Sequence, residues 1–454
     1  MNDIINILGL EDDTIKICSV IIEGSTKEIT IEKVITPMYC PICGCRMHSN
    51  GPKTRRVNHP IFQDGYKTVL LLKQRRWICT GCKHSMADEF RFVNKYKHST
   101  SATDFLVLEA LKDLNHTVSD VARQFNLSDT QVHRIFERYV DMKRLPLSEV
   151  ICIDEVHTEA VSYSKYSMII LDFLTGQPID ILPSRQTRDT ESYFANIPIE
   201  ERRKVKYIIT DMYNPYLALT SKYFPNAECA IDSYHVVQWI LHRIDLTLIA
   251  MRKYFKHRDD QLKDLRLQEH HPLPESWVSN EYYLLTKHRW VMLKNQDNID
   301  YNMPSHKDYH FGFHMDTYMY EDYFFAIDPS MKPVRDLKEK YIAFNKKYVG
   351  KPDAAAIKLD ELIDEYKHCE YSIFHGFADL LQKYRKEIIN SFVVVQTNGA
   401  SDSDAMARLS NGLTESFNRK PKDIRRLARG YRNFNHMRNR ILFATRKRPP
   451  ILGK

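Results

Sequence analysis

Val150-Ile-Cys-Ile-Asp-Glu-Val-His157 decides the fold. Its first four residues are apolar, the mark of a strand buried on both faces, and the run ends in Asp154-Glu155. A second apolar run, KYIITDMYNPY over 206–216, again ends in an acid, Asp211. Between them SMIILDF (167–173) and IDILPS (179–184) read as strands joined by the turn TGQP, and RDTESYFANI (188–197) as a helix. Beyond them YLALTSKYF (216–224) reads as a helix and AECAIDSYHVV (227–237) as a strand running into another helix. Strands followed by alternating helix and strand predict an α/β core. A carboxylate at the end of a buried strand is costly unless paired or bound to metal, so Asp154 and Asp211 are candidate ligands of one ion. Alternation puts Glu155 on the opposite face of its strand from Asp154. Asp172 reads as a strand-end residue in a turn.

Toward the N-terminus, TVSDVARQFNLSDTQVHRIFERYV (117–140) has the spacing of a helix-turn-helix. Thr117 and Ser128 are expected helix caps, and Asn126 the left-handed residue between the helices. Val132, Ile135 and Phe136 should point inward. Thr130, Gln131, His133, Arg134 and Arg138 are then the candidate base and phosphate contacts of a helix in the major groove. DFLVLEALKDL (104–114) supplies a preceding helix.

Further upstream, Cys40-Pro-Ile-Cys43-Gly and Cys79-Thr-Gly-Cys82 flank the strand-like TVLLLKQRRWIC. Two Cys-x-x-Cys pairs on tight turns fit a four-thiolate zinc ribbon. Cys45 is a spare thiol, and His48 or His84 could replace a ligand. The remaining cysteines, Cys18, Cys152, Cys229 and Cys369, are scattered and read as apolar side chains.

Toward the C-terminus, 240–390 is rich in helix formers, Tyr and His. Trp290 in YYLLTKHRWVMLK could stack a base, but the stronger reading is a buried core residue. The closing segment is basic, with thirteen Lys/Arg from Ser416 onward against the single acid Asp423. Formal charge over the chain is +8, so the excess is concentrated there, as a polyanion-binding end requires. No run of eighteen apolar residues could span a membrane. The acidic start MNDIINILGLEDDTIK lacks the charge of a signal peptide, so a cytoplasmic protein is expected.

These segments together resemble bacterial insertion-sequence transposases of the ISL3 type. The resemblance runs nearly end to end. It rests on CPICG…RRWICTGC, the helix-turn-helix, IDE (153–155), LDFLTGQPIDILPSR (171–185), TDMYNPYLAL…FPNAECAIDSYHVVQ (210–238) and SNGLTESFNRKPKDIRRLARGYRNFNHMRNRILFATR (410–446). It implies an α/β RNase H-like catalytic core with a large helical insertion, preceded by a zinc ribbon and an all-α helix-turn-helix domain.

The implied catalytic triad is Asp154, Asp211 and Glu415, holding Mg²⁺ or Mn²⁺, with Zn²⁺ in the ribbon. Glu415 is chosen by the resemblance, not by its own surroundings in sequence. Asp232 competes for the third position, and it and His235 match recurrent supporting positions. Asn418, Arg419, Arg425, Arg426 and Arg429 are expected on DNA phosphates. The expected organisation is an arm at 1–36, the ribbon at 37–98 and the helix-turn-helix at 99–145. The core follows at 146–240, the insertion at 241–390, and the rest of the core with a basic helix at 391–454. The expected partners are the terminal inverted repeats and target DNA, bound by a homodimer. A catalytically silent DNA-binding regulator derived from such an enzyme is the alternative.

Overall fold

The computed structural model describes residues 5, 8–10, 12–60, 66–398, 404–427 and 433–452. Arg429 lies outside these. We label strands of three residues or more and helices of seven or more. The chain divides into two compact units, one of Met1–Arg144, Val156–Ser167 and Asn418–Lys454, the other of Leu145–Glu155 and Met168–Phe417.

In the first unit, β1 (Ile15–Glu23), β2 (Thr26–Lys33), β3 (Met47–His59), β4 (Lys67–Cys79) and β5 (Ser85–Ala87) make one sheet. Its order is β1-β2-β4-β3, with β5 on β4. The segment expected to be an arm thus contributes two strands, and β2 runs parallel to β4 with Ile29 opposite Leu70. The reason is the period-2 pair Ile29 and Ile31, which is buried against Val57, Leu70 and Leu72.

Three helices follow, α1 (Ser101–Lys112), α2 (Val118–Gln124) and α3 (Asp129–Tyr139). Thr117 Oγ1 accepts from the Asp120 N–H at 3.1 Å, and Asp120 accepts from the Thr117 N–H at 2.9 Å. Ser128 and Gln131 form the same reciprocal cap on α3. Asn126 sits at φ 52° between the helices, where Asn tolerates the left-handed region. Val121, Ala122, Val132, Ile135 and Phe136 are buried, as the helical spacing predicts.

The second unit is built on a sheet of order β10-β9-β6-β7-β8. Its strands are β6 (Val150–Val161), β7 (Ser164–Asp172), β8 (Pro178–Leu182), β9 (Tyr207–Thr210) and β10 (Glu228–Ile231). β9 runs parallel to both β6 and β10, and β7 is antiparallel to β8. The expected α/β core is therefore present. Ile151, Ile153, Met168, Ile170, Ile179 and Ile208 form its interior with Phe194 of α4 (Thr187–Ala195) and Tyr216 of α5 (Asn214–Tyr223).

One boundary differs from the sequence reading. β6 does not stop at Asp154 but runs on to Val161. Val150–Ile153 are buried without a break, while beyond them Val156, Thr158 and Ala160 alternate with the more exposed His157 and Glu159. The strand passes from a doubly covered to a half-covered setting, and the change of period imitates an end.

From β10 the chain enters α6 (Ser233–Gln268). A helical layer follows, including α7 (Asn280–Lys287), α8 (Thr317–Phe325), α9 (Met331–Lys347), α10 (Pro352–His368) and α11 (Ser372–Lys383). Ile240, Ile244, Leu284, Tyr341, Tyr366, Phe374 and Phe377 are its core. The antiparallel pair β11 (Val394–Asn398) and β12 (Asp404–Arg408) leads to α12 (Gly412–Leu427), and α13 (Phe434–Thr445) closes the described chain. Among the described residues no helix is long and apolar enough to cross a membrane.

Candidate active site and cysteine cluster

The register of the parallel strands aligns three acids. Cys152 of β6 pairs with Ile209 of β9, and Thr210 of β9 pairs with Ile231 of β10. Asp154 and Asp211 each lie two residues beyond the first pair, and Asp211 and Asp232 one beyond the second. All three are therefore level, at the carboxyl ends of β9 and β10 and beside them on β6.

The environment of Asp154 and Asp211 disfavours ionisation. Burial pushes the Asp154 carboxyl up to about 6, and the charges of Glu155 and Asp211 add to it. The Glu155 N–H, donating to Asp154 Oδ1 at 2.7 Å, opposes the rise. Asp211 is raised too, first by burial, with His235 and the Tyr213 N–H (3.2 Å) acting against it. Two half-buried carboxylates that repel each other form an electrostatic well for a cation.

Glu155 is spent elsewhere. It pairs with Arg185 and accepts from the Tyr216 hydroxyl at 3.0 Å. Asp172 accepts from the Leu174 N–H (2.9 Å) and the Thr175 hydroxyl (2.5 Å), so it is the turn residue that the sequence indicated.

Glu415 lies in the first turn of α12. Ligand atoms of Asp232, His235 and Glu415 all fall within 4.8 Å of one another. His235 also acts electrostatically on both Asp154 and Asp211. Asp232 is the most committed of the acids. Its Oδ1 accepts from the Tyr234 N–H at 3.3 Å as the cap of α6, and its Oδ2 accepts from the Asn411 N–H at 3.1 Å. Glu415 is exposed, and the buried His235 Nε2 has no hydrogen-bond partner. An oxygen-rich set with one imidazole can hold a divalent metal ion.

Sequence reasoning missed Asn411. It is fully buried, its carbonyl accepts from the Glu415 N–H at 3.0 Å, and neither side-chain amide atom has a partner. The signal available was its place just before a helix, in Ser410-Asn411-Gly412.

The cysteine cluster is compact. Cys40 and Cys82 Sγ are 3.5 Å apart, Cys43 and Cys79 3.4 Å, and Cys43 and Cys82 3.5 Å. A tetrahedron with Zn–S of about 2.3 Å sets sulfurs roughly 3.8 Å apart, so the cluster is compatible with a zinc ribbon. The Cys45 N–H, with hydrogen bonds from Cys79 and Cys82, brings the Cys43 thiol down to about 6, the direction a metal thiolate needs. A Cβ on Gly81 would meet Cys45 Sγ at 2.9 Å, so only glycine fits the second knuckle without a shift.

The candidate DNA contacts divide. Thr130, Arg134 and Arg138 are exposed on α3. Gln131 is exposed, but its side chain accepts from the Ser128 N–H at 2.8 Å as half of the cap. His133 is half-buried, stacked on His436 of α13 with centroids 5.3 Å apart. Arg419 and Arg426 are exposed, and Arg426 is 3.1 Å from Asp423. Arg425 binds His157 and Glu159 on the outer half of β6, and Asn418 is buried. Two further arginines of the basic segment are structural. Arg440 donates to the Asp113 and His116 carbonyls (2.9 and 3.0 Å) just past the end of α1, and Arg446 to the Lys143 carbonyl (2.7 Å).

Comparison with known proteins gives the family. A DDE-type ISL3 family model described as "Transposase" matches residues 151–441. One described as "Helix-turn-helix domain of transposase family ISL3" matches 89–140. The chain is 24% identical over 286 residues to the transposase for insertion sequence element IS1001 of Bordetella parapertussis, a stretch covering 61% of this chain and 64% of that protein. The matched stretch spans less than two thirds of that relative's length. The chain belongs to the ISL3 family of transposases.

Proposed function

We propose that the protein binds the terminal inverted repeats of an insertion sequence, cleaves DNA at its ends and joins the freed 3′-hydroxyls to target DNA. The observation that carries this reading is the alignment of Asp154 and Asp211 on neighbouring parallel strands, with Glu415 brought to His235 and Asp232 beside them. The strand order β8-β7-β6-β9-β10, with helices following β8, β9 and β10, supports an RNase H-like core.

Asp154, Asp211 and Glu415 act as the ligands of two divalent ions, which when bound activate water and stabilise the leaving oxygen. Asp232 works behind them, fixing the start of α6 and, through Asn411, the helix that presents Glu415. His235 offsets part of the rise that burial imposes on the Asp154 and Asp211 carboxyls.

Exposed Thr130, Arg134 and Arg138 read the repeat in the major groove, and Arg419 and Arg426 engage phosphates. Holding two element ends calls for at least two copies of the chain on DNA. The setting is the bacterial nucleoid.

The test is cleavage and joining of a labelled duplex carrying the element's terminal repeat, with Mg²⁺. Wild type should nick and join. A wild type that binds the repeat but never cuts under any divalent ion overturns the proposal in favour of a DNA-binding regulator.

A further inference from the structure

The sheet of the first unit ends in β1, and among the described residues no strand pairs with its outer edge. At nine residues it is long for an edge strand. Its middle, Ser19-Val20-Ile21-Ile22, has neither the charge nor the proline that keeps a free edge from recruiting another strand. Val20, Ile21 and Ile22 are 46%, 51% and 52% exposed, so apolar side chains stand open on both faces of the strand.

The strand is complementary to itself. A bulge at Cys18 resets the alternation. Ile17, opposite Ile31, then shares a face with Val20, opposite Ile29, and with Ile22, opposite Lys27. That face continues the core face of the sheet, where Ile29 and Ile31 are buried. Lys16, opposite Glu32, and Glu23, opposite Thr26, lie on the other face.

With Cys18 counted as the extra residue, Lys16 and Glu23 are each three positions from Val20, and Ile17 and Ile22 each two. A two-fold axis normal to the sheet at Val20 therefore lays a second β1 antiparallel to the first. It sets Lys16 across from the partner's Glu23 and Ile17 across from the partner's Ile22. Lys16 touches Glu32 at 2.8 Å but keeps 51% of its side chain exposed, and Glu23 is exposed. No Lys or Arg lies between Lys16 and Glu23, so the strand offers nothing to a polyanion.

We propose that a second copy of this chain adds its β1 to this edge, antiparallel about that axis, and joins the two sheets into one. Such a contact is isologous and closes at two copies. The proposal rests on the two-copy reading above and gives those copies an interface that DNA does not have to supply.

The test is sedimentation equilibrium of the full chain without DNA, on variants first shown by circular dichroism to be folded. Wild type should be a dimer. Val20→Lys places like charges together at the axis and should weaken the dimer at least about tenfold. Ile35→Lys, at an apolar side chain 71% exposed but outside β1, should leave it unchanged. Lys16→Glu and Glu23→Lys should each weaken the dimer about fivefold. Mixed together they should dimerise again, because each then offers the charge that the other lacks. In wild type, hydrogen exchange at the Ser19–Ile22 amides should slow as protein concentration rises.

A wild-type monomer at every concentration overturns the proposal, as does a dimer that Val20→Lys leaves intact. A mixture of the two charge variants that stays monomeric overturns the register, and with it this interface. Exchange at Ser19–Ile22 that ignores concentration does the same. Monomeric protein that still nicks and joins the terminal repeat would overturn this interface and leave the transposition reading standing.

Discussion

Asp232 Oδ2 accepts a hydrogen bond from the backbone N–H of Asn411 at 3.1 Å. That bond ties the end of β10 to the start of α12, across the whole helical layer in sequence. It explains how Glu415 reaches acids that precede it by so long a stretch. It also assigns different work to the two acids, Asp232 holding backbone and Glu415 facing solvent.

Stability should separate those roles. Asp232→Ala removes the cap of α6 and leaves the Asn411 N–H buried without an acceptor, at a cost of about 2–4 kcal/mol. Exposed Glu415→Gln should change stability by less than about 0.5 kcal/mol. Chemical denaturation of both variants checks this. A large loss in Glu415→Gln with none in Asp232→Ala would reverse the assignment.

Metal-free protein should grow less stable as pH rises through the range between the ordinary Asp value and about 6. Asp154 is raised in the folded state to about 6, so the folded protein binds the proton more tightly than the unfolded chain does. Its contribution is intact at low pH and is lost as pH climbs through that window, by on the order of 1–3 kcal/mol. Asp154→Asn should therefore be more stable than wild type at pH 7.5 in chelator, and Mg²⁺ should stabilise wild type more than the variant. Unfolding curves at pH 4.5 and 7.5 read both effects. Identical pH dependence in the two proteins would show that the Asp154 environment is not strained.

Zinc should be held by four sulfurs only. Cys79→Ser should lose stoichiometric zinc, whereas Cys45→Ser should retain it, although Cys45 lies against Gly81. Elemental analysis of purified protein decides, and metal retained in Cys79→Ser would contradict the four-thiolate assignment.

Basic residues near the helix-turn-helix should fall into two classes. Arg440→Met removes the guanidinium that donates to the Asp113 and His116 carbonyls and should cost about 2–4 kcal/mol. Arg134→Ala, on an exposed face of α3, should leave stability unchanged and weaken binding to the repeat by about 1–3 kcal/mol. Melting temperatures and binding titrations on the same samples distinguish them.

Much of this was legible in the sequence because it depends on local chemistry. Thr117, Asn126 and Ser128 announce two capped helices and their turn. The paired cysteines announce their cluster, and the apolar runs before Asp154 and Asp211 announce adjacent buried strands. What was hidden depends on distant partners. Nothing local says that β2 will add to β4, that Arg425 will meet Glu159, or that His133 will stack on His436. The basic C-terminal segment looked uniform, yet Arg440 and Arg446 are buried against carbonyls while Arg419 and Arg426 are exposed. Charge density alone does not distinguish these. Glu415 was found by family pattern, and its position beside His235 supplies the physical reason that its sequence neighbours lack.

The most direct test of the central claim is cleavage of a terminal-repeat duplex with Mg²⁺ by Asp154→Ala, Asp211→Ala and Glu415→Ala, each first shown to be folded and to bind the repeat. The account predicts that all three bind as wild type does and cut at least about a hundredfold more slowly, as loss of a metal ligand requires. Wild-type cutting by any one of them would contradict the proposed triad.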